Sequence, residues 1–258
     1  MCWKSNNLFN SLTNRKATIL ILSVVFFFGI GATNISAQRK FSKTYPAIKN
    51  VRLRLTNRTG TISVVGWNRN KVRISAWLEK PIAKISPRNL SGTIYINVIK
   101  DNQGRRNVGN TNFTVYVPYA AAVDIETRVG NLSVRNIQGG LVRAHITSEG
   151  DIELLNIGAK NVSAKNVIGD IFYDGTINYG GTYHFTSTKG NINLRIPFRS
   201  SFRLVATAPT TRKILLGSFR RQGMKYVGNG RRVVGRVGNG GASLTVTNKF
   251  GTISFIPR

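Results

Sequence analysis

One short phrase recurs along the whole chain: a glycine, a small polar residue, and then two apolar residues one position apart. It reads GTISV, GNLSV, GDIEL, GDIFY, GNINL and GTISF in turn. Its glycines are Gly60, Gly130, Gly150, Gly169, Gly190 and Gly251. The four central glycines follow one another at intervals of 20, 19 and 21 residues. A nearly constant period of this length predicts a solenoid, because each unit must stack on its neighbours to bury its apolar side.

Each of these glycines lies between two segments in which apolar and polar residues alternate. Alternation with a period of two predicts half-buried strands, and a glycine supplies the positive φ that the turn between them needs. Three positions before the glycine the chain places a short polar residue: Asn57, Thr127, Asn166, Ser187 and Asn248. The predicted fold is therefore all-β, a parallel β-solenoid with two strands in each repeat of about 20 residues. The alternation before Gly150 is displaced by one position, which predicts a bulge or a shortened turn there.

The first 37 residues have the pattern of a secretory signal peptide. Lys4, Arg15 and Lys16 precede the apolar run 17–32, and the small residue Ala37 lies at the expected cleavage point. The alternative is a single membrane anchor, although the run is shorter than the roughly 20 residues that span a bilayer. Either way we expect an exported protein, located in the periplasm, at the cell surface or secreted.

The remaining residues, 38–258, are predicted to form one domain. Its central rungs are expected at 123–206, and a basic, glycine-rich insertion at 212–241, read as a hairpin, precedes the last repeat. The only cysteine, Cys2, lies in the signal peptide, so the exported domain can contain neither a disulfide nor a thiolate metal site.

The net charge of +29 predicts attraction to polyanions. No acidic residue follows Asp174, and a run of cations with interleaved aromatic residues such as Phe198 and Tyr226 lies beyond it. Arginine binds carboxylate and phosphate through two parallel N–H donors. The predicted polyanion contacts are Arg195, Arg199, Arg212, Lys213, Arg220, Arg221, Lys225, Arg231, Arg232 and Arg236, together with Arg203. The alternative is a charge that serves solubility alone.

Several phrases give the chain a family resemblance. The segments LTNRTGTISVVGW, VYVPYAAAVDIETRVGNLSV, TSEGDIELLNI and GNGGASLTVTNKFGTISF resemble the bacterial putative-adhesin domain family over roughly residues 51–256. The resemblance implies an exported β-solenoid with an adhesive role and no catalytic motif. The strong basic charge departs from the usual appearance of that family.

An enzyme and a metal site are the alternatives to be tested against the structure. Asp151 and Asp170 follow glycines on successive rungs and could form the carboxylate pair of a glycosidase, or a Ca²⁺ site with Glu149. Asparagine occupies the same slot in adjacent repeats, so we interpret both aspartates as members of a turn ladder instead. His145 and His184 occupy different offsets on different rungs and are not expected to bind a metal. No cofactor is predicted.

We therefore expect a non-enzymatic, adhesin-like or scaffolding protein of the cell envelope. Its predicted partner is an acidic polysaccharide, lipopolysaccharide or another envelope polyanion, and intracellular nucleic acid is not expected. Two alternatives remain at this point: a rod that binds a protein partner with incidental charge, and a carbohydrate-active β-helix enzyme.

Overall fold

The computed structural model describes residues 39–258, so the predicted signal peptide lies outside the described residues. Within that range the chain is almost entirely β-strand, with one helix of four residues, Val98–Asp101, and one 3₁₀ turn, Gly217–Arg221. The strands are β1 Arg39–Pro46, β2 Arg52–Thr56, β3 Ile62–Trp67, β4 Lys71–Leu78, β5 Arg88–Leu90, β6 Thr93–Asn97, β7 Thr111–Pro118, β8 Ala122–Val129, β9 Leu132–Arg135, β10 Leu141–Glu149, β11 Ile152–Ile157, β12 Asn161–Ile168, β13 Ile171–Gly175, β14 Thr182–Lys189, β15 Ile192–Ile196, β16 Phe202–Thr207, β17 Ile214–Leu215, β18 Met224–Val227, β19 Arg232–Val237, β20 Ser243–Phe250 and β21 Ile253–Pro257.

The predicted parallel β-solenoid is confirmed. Sheet A has the order β1-β4-β7-β3-β9-β11-β13-β15-β21-β17, and sheet B has the order β18-β19-β16-β20-β14-β12-β10-β8-β2-β6-β5. One strand of sheet B, a glycine turn and one strand of sheet A form a rung, and the central rungs pair in parallel. The inward residues of both sheets form one continuous apolar core between them.

Parallel pairing places equivalent residues of successive repeats above one another. Val162 lies beside Tyr183 and Ala164 beside Phe185, and all four are buried. This register explains why the alternation has the same phase in every unit, since a slip of one residue would turn each apolar side chain to the solvent.

The rungs are not stacked in chain order. The last repeat, β20 and β21, lies between the β14–β15 rung and β16, and β2 and β3 likewise lie inside the stack. The segment β16–β19 covers one end, where β18 and β19 form the predicted hairpin, and β1 with β4–β7 covers the other end. The edge strands are short or carry charge and proline, as Lys40, Lys43 and Pro46 of β1 do, which limits pairing with other chains.

The repeat glycines stack at one corner of the solenoid. Each of the first five has a positive φ, between +113° for Gly60 and +143° for Gly150, and donates its N–H to a carbonyl of the next rung. From Gly130 onward, a Cβ on each glycine would overlap the carbonyl oxygen of the repeat glycine on the preceding rung. The corner therefore excludes side chains for two reasons, backbone conformation and close approach.

Gly251 differs from the prediction made for it. Its φ is not positive, so it is required only because a Cβ there would overlap the carbonyl oxygen of Gly190. Thr211 Oγ1 donates to the Gly251 carbonyl oxygen at 2.7 Å and closes the glycine stack on that side. The irregularity predicted before Gly150 is also present, since the register of β10 shifts between His145 and Glu149.

Two ladders of polar side chains flank the glycines. On the outside, a side-chain oxygen of one rung accepts the backbone N–H of the equivalent residue on the next rung. Asn112 accepts from Thr61 in this way. A longer ladder begins at the Asn131 side chain and ends at the Thr252 N–H. On the inside, buried asparagine side chains donate to backbone carbonyl oxygens of the turns, as Asn166 does to Gly169 at 2.7 Å. The outer slot thus needs an acceptor and the inner slot needs a donor.

Two buried tyrosines lie in the core beside Phe185. The Tyr173 and Tyr183 ring centroids are 6.3 Å apart, and the Tyr173 hydroxyl donates to the Thr176 carbonyl oxygen at 2.9 Å. Burial disfavours the phenolate and raises the pKa of Tyr173, and to a lesser degree that of Tyr183, above the ordinary value of 10.0. Folding keeps both tyrosines neutral. It therefore becomes less favourable at any pH at which the unfolded chain would ionise them.

We expect this stabilisation to be lost in alkali. Because the unfolded chain ionises Tyr173 near pH 10 and the folded chain does not, stability falls by about 1.4 kcal/mol for each pH unit above 10. Tyr173→Phe cannot ionise, so the difference in unfolding free energy between it and the parent protein should move in favour of the variant by about 1.4 kcal/mol between pH 9 and pH 11. Urea unfolding at both pH values measures this difference, and a constant difference would contradict the assignment.

Candidate polyanion-binding surface

Four predicted cations lie together on the outer face of sheet B. Arg203 of β16 lies opposite Arg236 of β19 in an antiparallel pair, and Arg232 and Lys225 lie on the same face of the same hairpin. All four side chains are exposed, and their strands form the terminal edge of the sheet. We call Arg203, Lys225, Arg232 and Arg236 the cationic edge.

Rows of hydroxyl side chains continue from the cationic edge across the same face. The parallel register places Arg203 next to Ser243 of β20, and Ser243 next to Thr182 of β14. The rows beside it carry the same chemistry: Thr207, Thr247 and Thr186 in one, and Thr245 with His184 in the other. We call Ser243, Thr245, Thr247, Thr182 and Thr186 the hydroxyl rows.

The charge of this face is one-sided over six strands. None of β12, β14, β16, β18, β19 and β20 contains an acidic residue. The carboxylates of sheet B begin further along, with Glu149 at the end of β10 and Asp124 and Glu126 on β8. Asp124 Oδ1 accepts from Arg143 Nε at 2.6 Å, and Glu126 Oε2 lies 3.5 Å from His145 Nδ1. The Asp124 carboxylate raises the pKa of Arg143. Among residues 39–258, the strands that carry the cationic edge and the hydroxyl rows thus contain no acidic side chain that could neutralise the cations.

A second group of predicted cations lies at the end of the stack. Arg220 and Arg221 belong to the 3₁₀ turn Gly217–Arg221 and line an open concavity of about 1040 Å³ together with Phe198. Phe198 is half exposed, and its ring lies 6.0 Å from that of the buried Phe219. Phe219 in turn packs on Phe202 and Phe255, so the turn is held on the core by aromatic contacts.

The remaining predicted cations do not join either group. Arg195 lies on the outer face of sheet A, where its guanidinium contacts the buried Asp174 at 2.5 Å, and this contact raises the pKa of Arg195. Arg258 approaches the other oxygen of the same carboxylate at 3.3 Å. Arg199, Arg212, Lys213 and Arg231 are exposed in turns. Arg195 is therefore engaged within the protein, whereas the cationic edge is open.

The two aspartates considered for a glycosidase or Ca²⁺ site belong to the outer ladder. Asp151 Oδ1 and Asp170 Oδ1 each accept a backbone N–H of the next rung at 2.7 Å, as the ladder interpretation predicted. Within residues 39–258, no three potential metal ligands lie close enough together to hold an ion. His184 Nε2 is 3.0 Å from Thr186 Oγ1 and belongs to the outer face of sheet B.

Sequence reasoning missed the hydroxyl rows because it used the alternation of β14 and β20 only to identify buried positions. The same alternation marks the outward residues, and most of them in TYHFTSTK and SLTVTNKF are threonine or serine. The adjacency of Arg203 and Arg236 could not be found in this way, since it depends on the register of a hairpin strand.

Comparisons with known proteins find one family model and several solved structures that are similar to this chain. The family model described as Toastrack DUF4097 matches residues 33–211. No curated protein matches the chain. Among solved structures, a "putative cell adhesion protein" from Clostridium sporogenes is 11% identical with a TM-score of 0.52 and covers 86% of this chain and 100% of its own. A "putative adhesin" from Bacteroides fragilis has a TM-score of 0.31 at 13% identity, with 84% and 97% of the two chains covered. A "putative lipid binding protein" from Parabacteroides distasonis has a TM-score of 0.27 at 9% identity, with the same coverage.

Among the residues that the structure describes, no helix combines the length and apolar character needed to span a bilayer.

Proposed function

Because this chain belongs to the Toastrack DUF4097 family, we propose that it is an exported, non-enzymatic, adhesin-like protein of the cell envelope that binds acidic polysaccharide. The polymer lies along the outer face of sheet B, with its carboxylate or phosphate groups on the cationic edge and its hydroxyls on the hydroxyl rows. One observation carries the proposal: an unpaired cluster of four cations continues into hydroxyl side chains across strands that contain no acidic residue.

The geometry of the sheet supports an extended ligand. Neighbouring strands are about 4.8 Å apart, so the hydroxyl rows present donors and acceptors at regular intervals along the stack. A linear sugar chain likewise presents hydroxyls at short, regular intervals. Arg203, Ser243 and Thr182 line an open concavity of about 580 Å³ rather than an enclosed cavity, which suits a polymer that is bound at many weak contacts.

The non-enzymatic part of the proposal rests on how the carboxylates are used. Asp151 and Asp170 are acceptors in the outer ladder, and Asp124, Glu153 and Asp174 each contact arginine. A glycosidase needs one carboxyl group that holds a proton beside one that does not. The carboxylates of Asp124, Glu153 and Asp174 are used in ion pairs with arginine instead.

Binding of the purified protein to acidic and neutral glycans, titrated with salt, tests the proposal. The variant Arg203→Ser/Arg232→Ser/Arg236→Ser should bind an acidic glycan about 10-fold to 30-fold more weakly at low salt, at roughly 0.5–0.7 kcal/mol for each exposed contact. The slope of log Kd against log salt should also become shallower, because fewer counterions are released.

A matched control removes the same charge elsewhere. Lys49→Ser/Arg88→Ser/Arg106→Ser alters three exposed cations that lie outside β16–β20, and it should weaken binding far less. An equal loss in both variants would leave only generic charge attraction. Equal affinity for neutral glycans, or no glycan binding at all, would overturn the proposal and favour a protein partner.

A further inference from the structure

A second cluster of arginine and aromatic residues lies at the other end of the stack, on the outer face of sheet A. Trp67 ends β3, Arg73 lies in β4 and Tyr116 lies in β7, and the register places Arg73 directly opposite Tyr116. Arg69, in the turn between β3 and β4, completes the cluster. We call Trp67, Arg69, Arg73 and Tyr116 the stacked platform.

Both guanidinium groups of the stacked platform lie over its aromatic rings. The Trp67 and Tyr116 centroids are 5.2 Å apart, with ring planes inclined by 33°. The guanidinium carbon of Arg73 lies 4.5 Å from the Tyr116 centroid and 5.3 Å from that of Trp67, and that of Arg69 lies 5.2 Å from Trp67. The indole itself is fixed, because Trp67 Nε1 donates to the Lys71 carbonyl oxygen at 2.8 Å.

The two arginines have no acidic partner in the part of the chain that the structure describes. The ion pairs found there engage His145 and other arginines, among them Arg135, which lies on the same face of sheet A and contacts Glu153 at 2.6 Å. A guanidinium stacked on a ring uses its face and leaves its in-plane N–H groups free. These N–H groups match a carboxylate or a phosphate, which accept two parallel hydrogen bonds.

We propose that the stacked platform is a second anion site, which binds one carboxylate or phosphate carried by a sugar unit. Tyr119, whose ring is 43% exposed, lies beside the cluster and donates its backbone N–H to the Trp67 carbonyl oxygen at 3.2 Å. Its ring offers a stacking surface for the sugar that carries the anion. The choice of an acidic glycan rests on the proposed function, but the platform shares no residue with the cationic edge.

Separation of the two sites gives the proposal a consequence. The rung of β3 lies six strand spacings from β16 in sheet B, or about 29 Å at 4.8 Å for each spacing. The two sites also lie on opposite outer faces of the solenoid. One molecule could therefore hold two polymer chains at once, which is what a cross-linking adhesin requires.

Tryptophan fluorescence reports on the platform alone. Trp77→Phe leaves Trp67 as the single tryptophan within residues 39–258. We expect a saturable change in its emission with an oligogalacturonate and none with a neutral oligosaccharide of the same length. Titration with inorganic phosphate separates the two sources. A response to phosphate without one to the oligogalacturonate would assign the site to phosphate, the opposite result would assign it to carboxylate, and a response to neither anion would overturn the inference.

Further substitutions in the Trp77→Phe protein test whether the change in Trp67 emission depends on Arg73. Arg73→Gln should weaken the fluorescence response at least 10-fold, Arg73→Lys should retain part of it, and Arg135→Gln, on the same face, should leave it unchanged. Unaltered thermal unfolding of Arg73→Gln shows that the loss is not one of folding. An unchanged response in Arg73→Gln would also overturn the inference.

The two proposals can fail separately. Glycan binding that depends on the cationic edge but leaves Trp67 emission unchanged removes the second site and keeps the proposed function. If Trp67 emission responds to anions but glycan affinity does not depend on Arg203, Arg232 and Arg236, the second site is kept and the cationic edge is removed from the proposed function.

Discussion

Gly169→Ala is expected to destabilise the protein by about 4 kcal/mol, the sum of a strained backbone and an overlap that packing cannot relieve. Gly169 has a φ of +125°, a region that residues with a Cβ rarely adopt. The added Cβ would also overlap the carbonyl oxygen of Gly150. Because that oxygen belongs to a rung paired on both sides, neither backbone can move without breaking the parallel register.

Thermal unfolding measures the effect. For a domain of this size we expect the melting temperature to fall by about 8–16 °C, at about 2–4 °C for each kcal/mol. Gly140→Ala is the matched control, since Gly140 has no positive φ and a Cβ there meets no atom within 4 Å. Its unfolding free energy should change by less than about 0.5 kcal/mol. Equal melting temperatures for both variants would show that the glycine corner is not a constraint.

Asn248→Asp is the second large effect that we expect, about 4 kcal/mol at neutral pH. Asn248 is fully buried, and its Nδ2 donates to the carbonyl oxygens of Gly190 at 2.8 Å and Thr252 at 3.2 Å. Its Oδ1 has no hydrogen-bond partner among the described residues. A carboxylate of the same shape loses both donors and brings an uncompensated charge against two carbonyl oxygens, which costs about 3–5 kcal/mol.

Asn191→Asp, in the turn of the neighbouring rung, provides the comparison. Asn191 Oδ1 accepts the Thr252 N–H at 3.1 Å, and an aspartate keeps that acceptor. We expect a change below about 1 kcal/mol, and aspartate already occupies the equivalent position at Asp151 and Asp170. Urea unfolding of both variants at pH 7 measures the contrast. Similar stabilities would mean that the inner ladder does not need a donor.

The difference between an accepting outer ladder and a donating inner ladder explains which residue types the sequence has in each slot. The slot after the glycine contains Asn, Asp or Thr, whereas the slot three positions before it contains Asn, Thr or Ser but never Asp. All the inner-slot residues can donate from a buried position, and the outer slot is exposed and mostly accepts. The interpretation of Asp151 and Asp170 as ladder residues follows from this chemistry.

Much of the candidate binding surface could not be predicted from the sequence, as the basic segment after Asp174 illustrates. Its cations were recognised together by closeness in sequence, but the fold distributes them among the outer face of sheet B, the end of the stack and isolated turns. Arg195 contacts Asp174 instead of the solvent. The stacked platform was not predicted at all, because Trp67 and Tyr116 are 49 positions apart and meet only through the β3–β7 pairing.

The sequence by itself determined the repeat: its strands, its glycine turns, its polar ladders and the parallel solenoid that they form. It could do so because in-register stacking puts like residues on like, so every unit carries the same pattern. Only the tertiary structure decided the order of the rungs and the partners of the end segments. Units with the same pattern can pair with one another interchangeably, and the insertion of β20 and β21 between β14–β15 and β16 depends on how the connecting segments close the two ends. The neighbours of each exposed cation follow from that order, and the candidate sites follow from those neighbours.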